Sequence, residues 1–180
     1  MVREAPCPVF SVKREDEGKS LGEMARILVP VDFSPTSTSA INKAVEMAVP
    51  AATEFHLLHV LEQPTAVAPD FGAMPLVPVE EKAEALARLR EIAADIQARN
   101  PSLKPEIHLC EGAPAREILC FAKKQGVDLI VMGTHGLTGI VRLLFGSVAE
   151  KVVRRAHCPV FTVGLLDGRA THSNTASRRR

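Results

Sequence analysis

From residue 25 to residue 163 the chain alternates short apolar runs, rich in β-branched residues, with longer segments of helical period. Few folds accept that alternation: it is the signature of parallel strands joined by helices that cross over and cover both faces of one sheet. Residues 25–32 read as the first strand, mostly apolar because both faces would be covered. Ser34 and Pro35 follow as N-cap and first helical residue, and Ile41, Ala44, Val45 and Ala48 fall on one helix face. Residues 55–61 make the second strand, and 63–78, rich in Pro and Ala without a period, a loop.

The longest helical pattern is 79–99, with Ala83, Leu86, Leu89, Ala93 and Ile96 expected to face inward and Asn100-Pro101 ending it. A short third strand (106–110) leads to a third helix (114–125) stopped by Gly126, then to a strongly apolar fourth strand (127–132). Ser147 and Glu150 match a capping box, so a fourth helix is expected from Ser147 to about residue 156. The last strand is 158–163, and 164–180 turns polar and basic, which reads as a disordered tail.

With 180 residues, the chain has room for one such domain and short extras. Twenty-two Lys and Arg against twenty-one Asp and Glu give a net charge of +1, too little to steer the protein onto a nucleic acid. The absence of Trp and Tyr removes the usual platforms for stacking unpaired bases. No apolar run approaches the roughly 20 residues that span a bilayer, and no signal-peptide core precedes residue 13, so a cytoplasmic location without membrane contact is expected. The four cysteines form no CxxC and read as buried free thiols. His56, His59 and His108 sit in strands with no metal-ligand companion nearby in sequence.

One internal echo stands out. Residues 2–12 match residues 153–163 at eight of eleven positions, at a constant offset of 151 residues. That is about one domain, so 1–24 reads as the final strand of a lost upstream copy followed by its linker. An extended stretch at 7–12 is suited to adding to an exposed sheet edge, its own or a partner's.

The residues that carry chemistry lie between the fourth strand and the fourth helix, in the pattern Gly133-x2-Gly136-x9-Gly146-Ser147. Glycine lets ligand atoms approach the backbone closely, and a helix that opens on Gly-Ser turns bare N–H groups outward, toward an anion. One helix terminus contributes only about 0.3–1 kcal/mol to an anion. Three charge-assisted hydrogen bonds at roughly 1.5–3 kcal/mol each approach the roughly 8 kcal/mol of a micromolar complex, and Arg142 could add charge. The loop is neither a Walker A sequence nor a GxGxxG dinucleotide turn.

Taken with Val-Pro-Val-Asp-Phe-Ser ending at Ser34, Leu-Leu-His-Val in the second strand and Gly-Ser-Val-Ala-Glu before Cys-Pro-Val, this motif resembles the universal stress protein family, in its ATP-binding branch, over residues 25–164. The resemblance implies an α/β fold like that of the adenine nucleotide alpha hydrolases, with an open five-stranded parallel sheet of order 3-2-1-4-5 and helices on both faces. ATP, with magnesium or manganese on its phosphates, would lie across the carboxyl ends of the first and fourth strands. That is where strand order reverses and where open parallel sheets bind ligands. By motif position, Pro30, Asp32 and Val60 would contact the adenosine, with Met132 lining the pocket. Gly133, Gly136, Gly146, Ser147 and Val148 would surround ribose and phosphates. Ala149 stands where some binders carry a hydroxyl.

Each of these residues has a plainer role beside the functional one. Asp32 suits a turn ahead of a capped helix, Ser147 suits an N-cap, and the glycines suit a flexible loop. The function implied is a nucleotide-dependent stress regulator or sensor with at most slow hydrolysis. A Mg-ATP-dependent ATPase or nucleotidyl transferase and a nucleotide-free scaffold are the alternatives. A homodimer paired through the last strand, residues 159–163, would hide an apolar sheet edge.

Overall fold

The computed structural model describes residues 8–12, 25–48, 52–62, 77–134 and 146–164. Among them run β1 (Val9–Ser11), β2 (Arg26–Pro30), α1 (Pro35–Met47), β3 (Glu54–Leu61), α2 (Val79–Arg99), β4 (Pro105–Glu111), α3 (Pro114–Gln125), β5 (Leu129–Gly133), α4 (Ser147–Arg155) and β6 (Val160–Val163). They form one sheet in the order β1-β6-β5-β2-β3-β4. The sheet therefore has six strands rather than five: β2 to β6 are parallel to their neighbours, and β1, from the N-terminal extension, joins β6 antiparallel.

Strand alternation sorts the core into two layers. Ile27, Val29, Phe55 and Leu57 pack with Ile41 and Ala44 of α1 and Leu89 and Ile96 of α2. Leu28, Leu58, Ile130 and Met132 pack on the opposite face with Ile118 and Ala122 of α3 and Ala149 and Val152 of α4. Each helix pair covers one face, which is why the central strands carry almost no polar residue.

Local chemistry sets most boundaries. Ser34 caps α1, its hydroxyl accepting from Ser37 N, with Pro35 in the first turn. Gly126 ends α3 in the left-handed region at φ 62°. Two expectations shift. On α2, Leu89 and Ile96 are buried and Ala93 packs partly buried against the core as expected, whereas in the first turns the buried residue is Ala85, with Leu86 half-buried and Ala83 exposed. The N-cap of α4 is Gly146, not Ser147, and no side chain caps that end, so the capping box does not close.

The place of β1 matters for assembly. Its register is Val9↔Thr162, Phe10↔Phe161 and Ser11↔Val160, the Phe10 and Phe161 ring centroids are 6.1 Å apart, and Thr162 Oγ1 donates to Val9 O at 3.3 Å. Because Val9, Phe10 and Ser11 are the counterparts of Val160, Phe161 and Thr162 in the internal echo, this is the register two β6 strands would make about a two-fold axis through Phe161. The β6 edge, expected to be free for a second copy, is covered by the chain's own N-terminal strand. Residues 2–7 of the echo, Cys7 among them, lie outside the described residues, as do 63–76 and 165–180.

Candidate functional site

The β2–β3 ladder continues to Pro30↔Leu58 and beyond it Val31 N donates to Leu58 O at 2.8 Å, whereas β2–β5 pairing stops at Leu28↔Ile130. The two central strands part at their carboxyl ends. A cleft of about 500 Å³ opens there, within the usual range for a small-molecule site. Pro30, Asp32, Val60, Met132, Gly133, Gly146, Ser147 and Val148, all singled out from the sequence, line it together. Gly136 and Arg142 lie outside the described residues.

One wall is the start of α4. Gly146 N donates to Thr134 O at 2.7 Å and Thr134 N to Val163 O at 2.9 Å, so the start of α4 is held against the residue that follows β5, and that residue against the end of β6. Glu150 N is the first amide of α4 to bond back to Gly146 O, at 3.0 Å. As the first residues of the helix, Ser147, Val148 and Ala149 carry N–H groups without an intrahelical acceptor, and all three residues line the cleft. Among the described lining residues there is no Lys or Arg, so these amides are what the described wall offers an anion.

The opposite wall is the turn from β2 into α1. Asp32 Oδ1 accepts from Ser34 N at 3.0 Å and Ser34 Oγ at 2.5 Å, which leaves Oδ2 to act outside the turn. Phe33 holds φ 62°, uncommon for a bulky residue and of the kind that concentrates at functional sites. Its ring lies 4.5 Å from the His59 ring and 3.9 Å beneath the Arg88 guanidinium. His59 Nδ1 sits 2.6 Å from Val31 O, so that nitrogen carries the proton, a carbonyl being able only to accept. His59 and Glu62 also line the cleft. Sequence reading missed both, although Leu-Leu-His-Val at the end of the second strand was the available signal.

Gly133 has a different reason to be glycine from the one first given. A Cβ there would meet Thr36 Oγ1 at 2.9 Å and the Thr36 carbonyl carbon at 3.0 Å, so it permits close packing of β5 on α1. Gly133→Ala is expected to lower the melting temperature by several degrees, as overpacking of about 1–3 kcal/mol requires. A thermal scan unchanged from the wild type would show that α1 gives way freely.

The structure also assembles a cluster that sequence reading dismissed. β3–β4 register places His56 opposite Glu106 and Leu58 opposite His108, which brings His56, Glu106 and His108 together on one face. His56 Nδ1 is 3.2 Å from His108 Nε2 and 3.5 Å from Glu106 Oε2, and His108 Nε2 is 3.8 Å from Glu106 Oε2. Burial, with the His56 imidazole adding to it, holds His108 below the ordinary imidazole value against the opposing pull of Glu106. Glu106-x-His108 showed only that two ligands share a strand face; His56, fifty residues earlier, needed the register. Among the described cysteines, Cys158 is buried, Cys110 half-buried with its thiol pushed up by burial, and Cys120 exposed, against the expectation that all would be core.

The model of the universal stress protein family matches residues 24–164. The chain belongs to that family. Universal stress protein MJ0531 of Methanocaldococcus jannaschii is 38% identical over 142 residues, covering 77% of this chain and 81% of that one. Universal stress protein Rv2005c of Mycobacterium tuberculosis is 30% identical over 161 residues, 89% of this chain but 52% of that longer protein. A crystal structure of a universal stress protein in complex with cAMP superposes with TM-score 0.58 at 25% identity, covering 78% of this chain and 97% of its own. Among the described residues of this family member no helix is long and apolar enough to cross a membrane.

Proposed function

We propose that this universal stress protein binds an adenine nucleotide, ATP with magnesium or manganese on its phosphates, in the cleft between the ends of β2 and β5. It then acts as a nucleotide-dependent regulator or sensor in a stress response. The observation that carries this reading is the pairing of three α4 amides that have no intrahelical acceptor with Asp32 across one crevice. The amides of Ser147, Val148 and Ala149 would take phosphate oxygens, Oδ2 of Asp32 a ribose hydroxyl, and Pro30, Val60 and Met132 the base. The metal ion would neutralise phosphate charge that the described wall does not match with a cationic side chain. That a structural neighbour is a cAMP complex supports an adenine nucleotide. A binding role fits better than rapid catalysis, because the described lining has no Lys or Arg to clamp a transferring phosphoryl group.

Calorimetric titration of nucleotide-stripped protein with Mg-ATP should give one site per chain with micromolar or tighter affinity. No heat and no nucleotide co-purifying by mass spectrometry would leave the scaffold alternative, and turnover above about 1 per second would favour an enzyme.

For assembly, a second copy is the partner whose β6 fits the β6 edge, and it can pair there only when β1 has left it. With β1 paired to it, that edge is occupied in the full chain.

A further inference from the structure

We infer that His56, Glu106 and His108 form a binding site for a divalent transition-metal ion of the zinc class, separate from the nucleotide cleft. His56 Nδ1, Glu106 Oε2 and His108 Nε2 stand 3.2, 3.5 and 3.8 Å apart. Ligand atoms bound at about 2.0–2.1 Å around a tetrahedral zinc ion lie about 3.4 Å from one another, so an ion at the centre of this triangle needs only small adjustments of the side chains. Two imidazoles with one carboxylate are a donor set that suits zinc and its neighbours better than magnesium or calcium, which take oxygen ligands.

The surroundings are built for it. His56 is 5% exposed, and among the described residues its Nε2 has no hydrogen-bond partner, so Nδ1, which faces Glu106 and His108, is the nitrogen through which this buried ring makes its polar contacts there. Phe121 of α3 closes over both imidazoles, its ring centroid 5.8 Å from that of His56 and 4.6 Å from that of His108. Glu106 is exposed, which leaves an entry path and a fourth position for water. The site clips β3 to β4, the outermost parallel strand. None of its three residues lines the nucleotide cleft, and it does not depend on the nucleotide reading.

The test uses the full chain, stripped with chelator and free of nucleotide, titrated with zinc chloride and in parallel with cobalt(II). One ion per chain, the visible absorption of tetrahedral cobalt and a rise in melting temperature with zinc are expected. Glu106→Gln and His108→Asn, both at partly exposed positions, should each weaken zinc binding by more than about tenfold, since even an outer-shell partner is worth that much. A Cys110→Ser, Cys120→Ser double variant should bind as the wild type does. Absence of saturable binding, full binding in Glu106→Gln, or loss of binding only in the cysteine variant would overturn the site.

Discussion

Replacing Ser147 with proline should weaken Mg-ATP binding by about ten- to a hundredfold and leave the melting temperature unchanged or slightly higher. Ser147 is the first residue of α4 after the N-cap Gly146. Proline is at home there, because its fixed φ suits the first turn and the N–H it lacks has no intrahelical acceptor. The residue before a proline must be extended, and Gly146 already has φ −67° and ψ 152°. The substitution therefore removes one of three amide donors facing the cleft with little disturbance of the helix. A charge-assisted hydrogen bond is worth roughly 1.5–3 kcal/mol, which sets the expected loss. Ser147→Ala serves as the control, since it deletes the hydroxyl and keeps the amide. If the alanine variant loses as much affinity as the proline variant, the hydroxyl is the donor and the amide cradle is not what binds phosphate. Asp32→Asn probes the other wall independently. Its amide oxygen can keep the Ser34 N bond made by Oδ1, so a loss of affinity without a loss of stability assigns the charge to the ligand.

Substituting Gly133 would not probe the amide cradle in this way, because any side chain there meets Thr36 before it meets a ligand. The strands and helices were legible because each is fixed locally: Ser34-Pro35 starts α1, Gly126 stops α3, and unbroken apolar runs mark strands buried on both faces. The position of the cleft was legible too, since it follows from strand order and the place where that order reverses. What Gly133 does was not. Its missing Cβ makes room for Thr36, almost a hundred residues earlier, and nothing local distinguishes a packing glycine from a ligand glycine. The same limit hid the metal cluster, which exists only in the register of β3 against β4. It also hid the strained Phe33 between His59 and Arg88, whose three parts come from three elements. The echo at the N-terminus was visible as a repeat, but its docking onto the chain's own β6 was one of two open outcomes.

Deleting residues 1–20 should convert the protein from monomer to dimer. A parallel sheet ending on β6 would expose a row of unpaired N–H and C=O groups beside the half-buried Phe161, a ready template for another strand. In the full chain β1 fills that template, with Phe10 against Phe161 and Val9 and Ser11 opposite Thr162 and Val160. Since β1 carries the sequence of β6 with Ser11 in place of Thr162, whatever makes β1 fit the edge makes a second β6 fit it equally, turned about a two-fold axis at Phe161. The tethered strand wins in the full chain because its effective concentration is of millimolar order, far above that of another copy in dilute solution. Removing it leaves the symmetric pair as the nearest substitute. Light scattering behind size exclusion should therefore report a monomer for the full chain and a dimer for the deletion variant. A synthetic peptide of residues 1–20, added in excess, should return the variant to monomer by competing for the same edge. A variant that stays monomeric at high micromolar concentration would mean that the edge has no affinity for its own kind. A full chain that is already dimeric, and falls to monomer on deletion, would mean that β1 crosses to the partner instead of folding back on its own sheet.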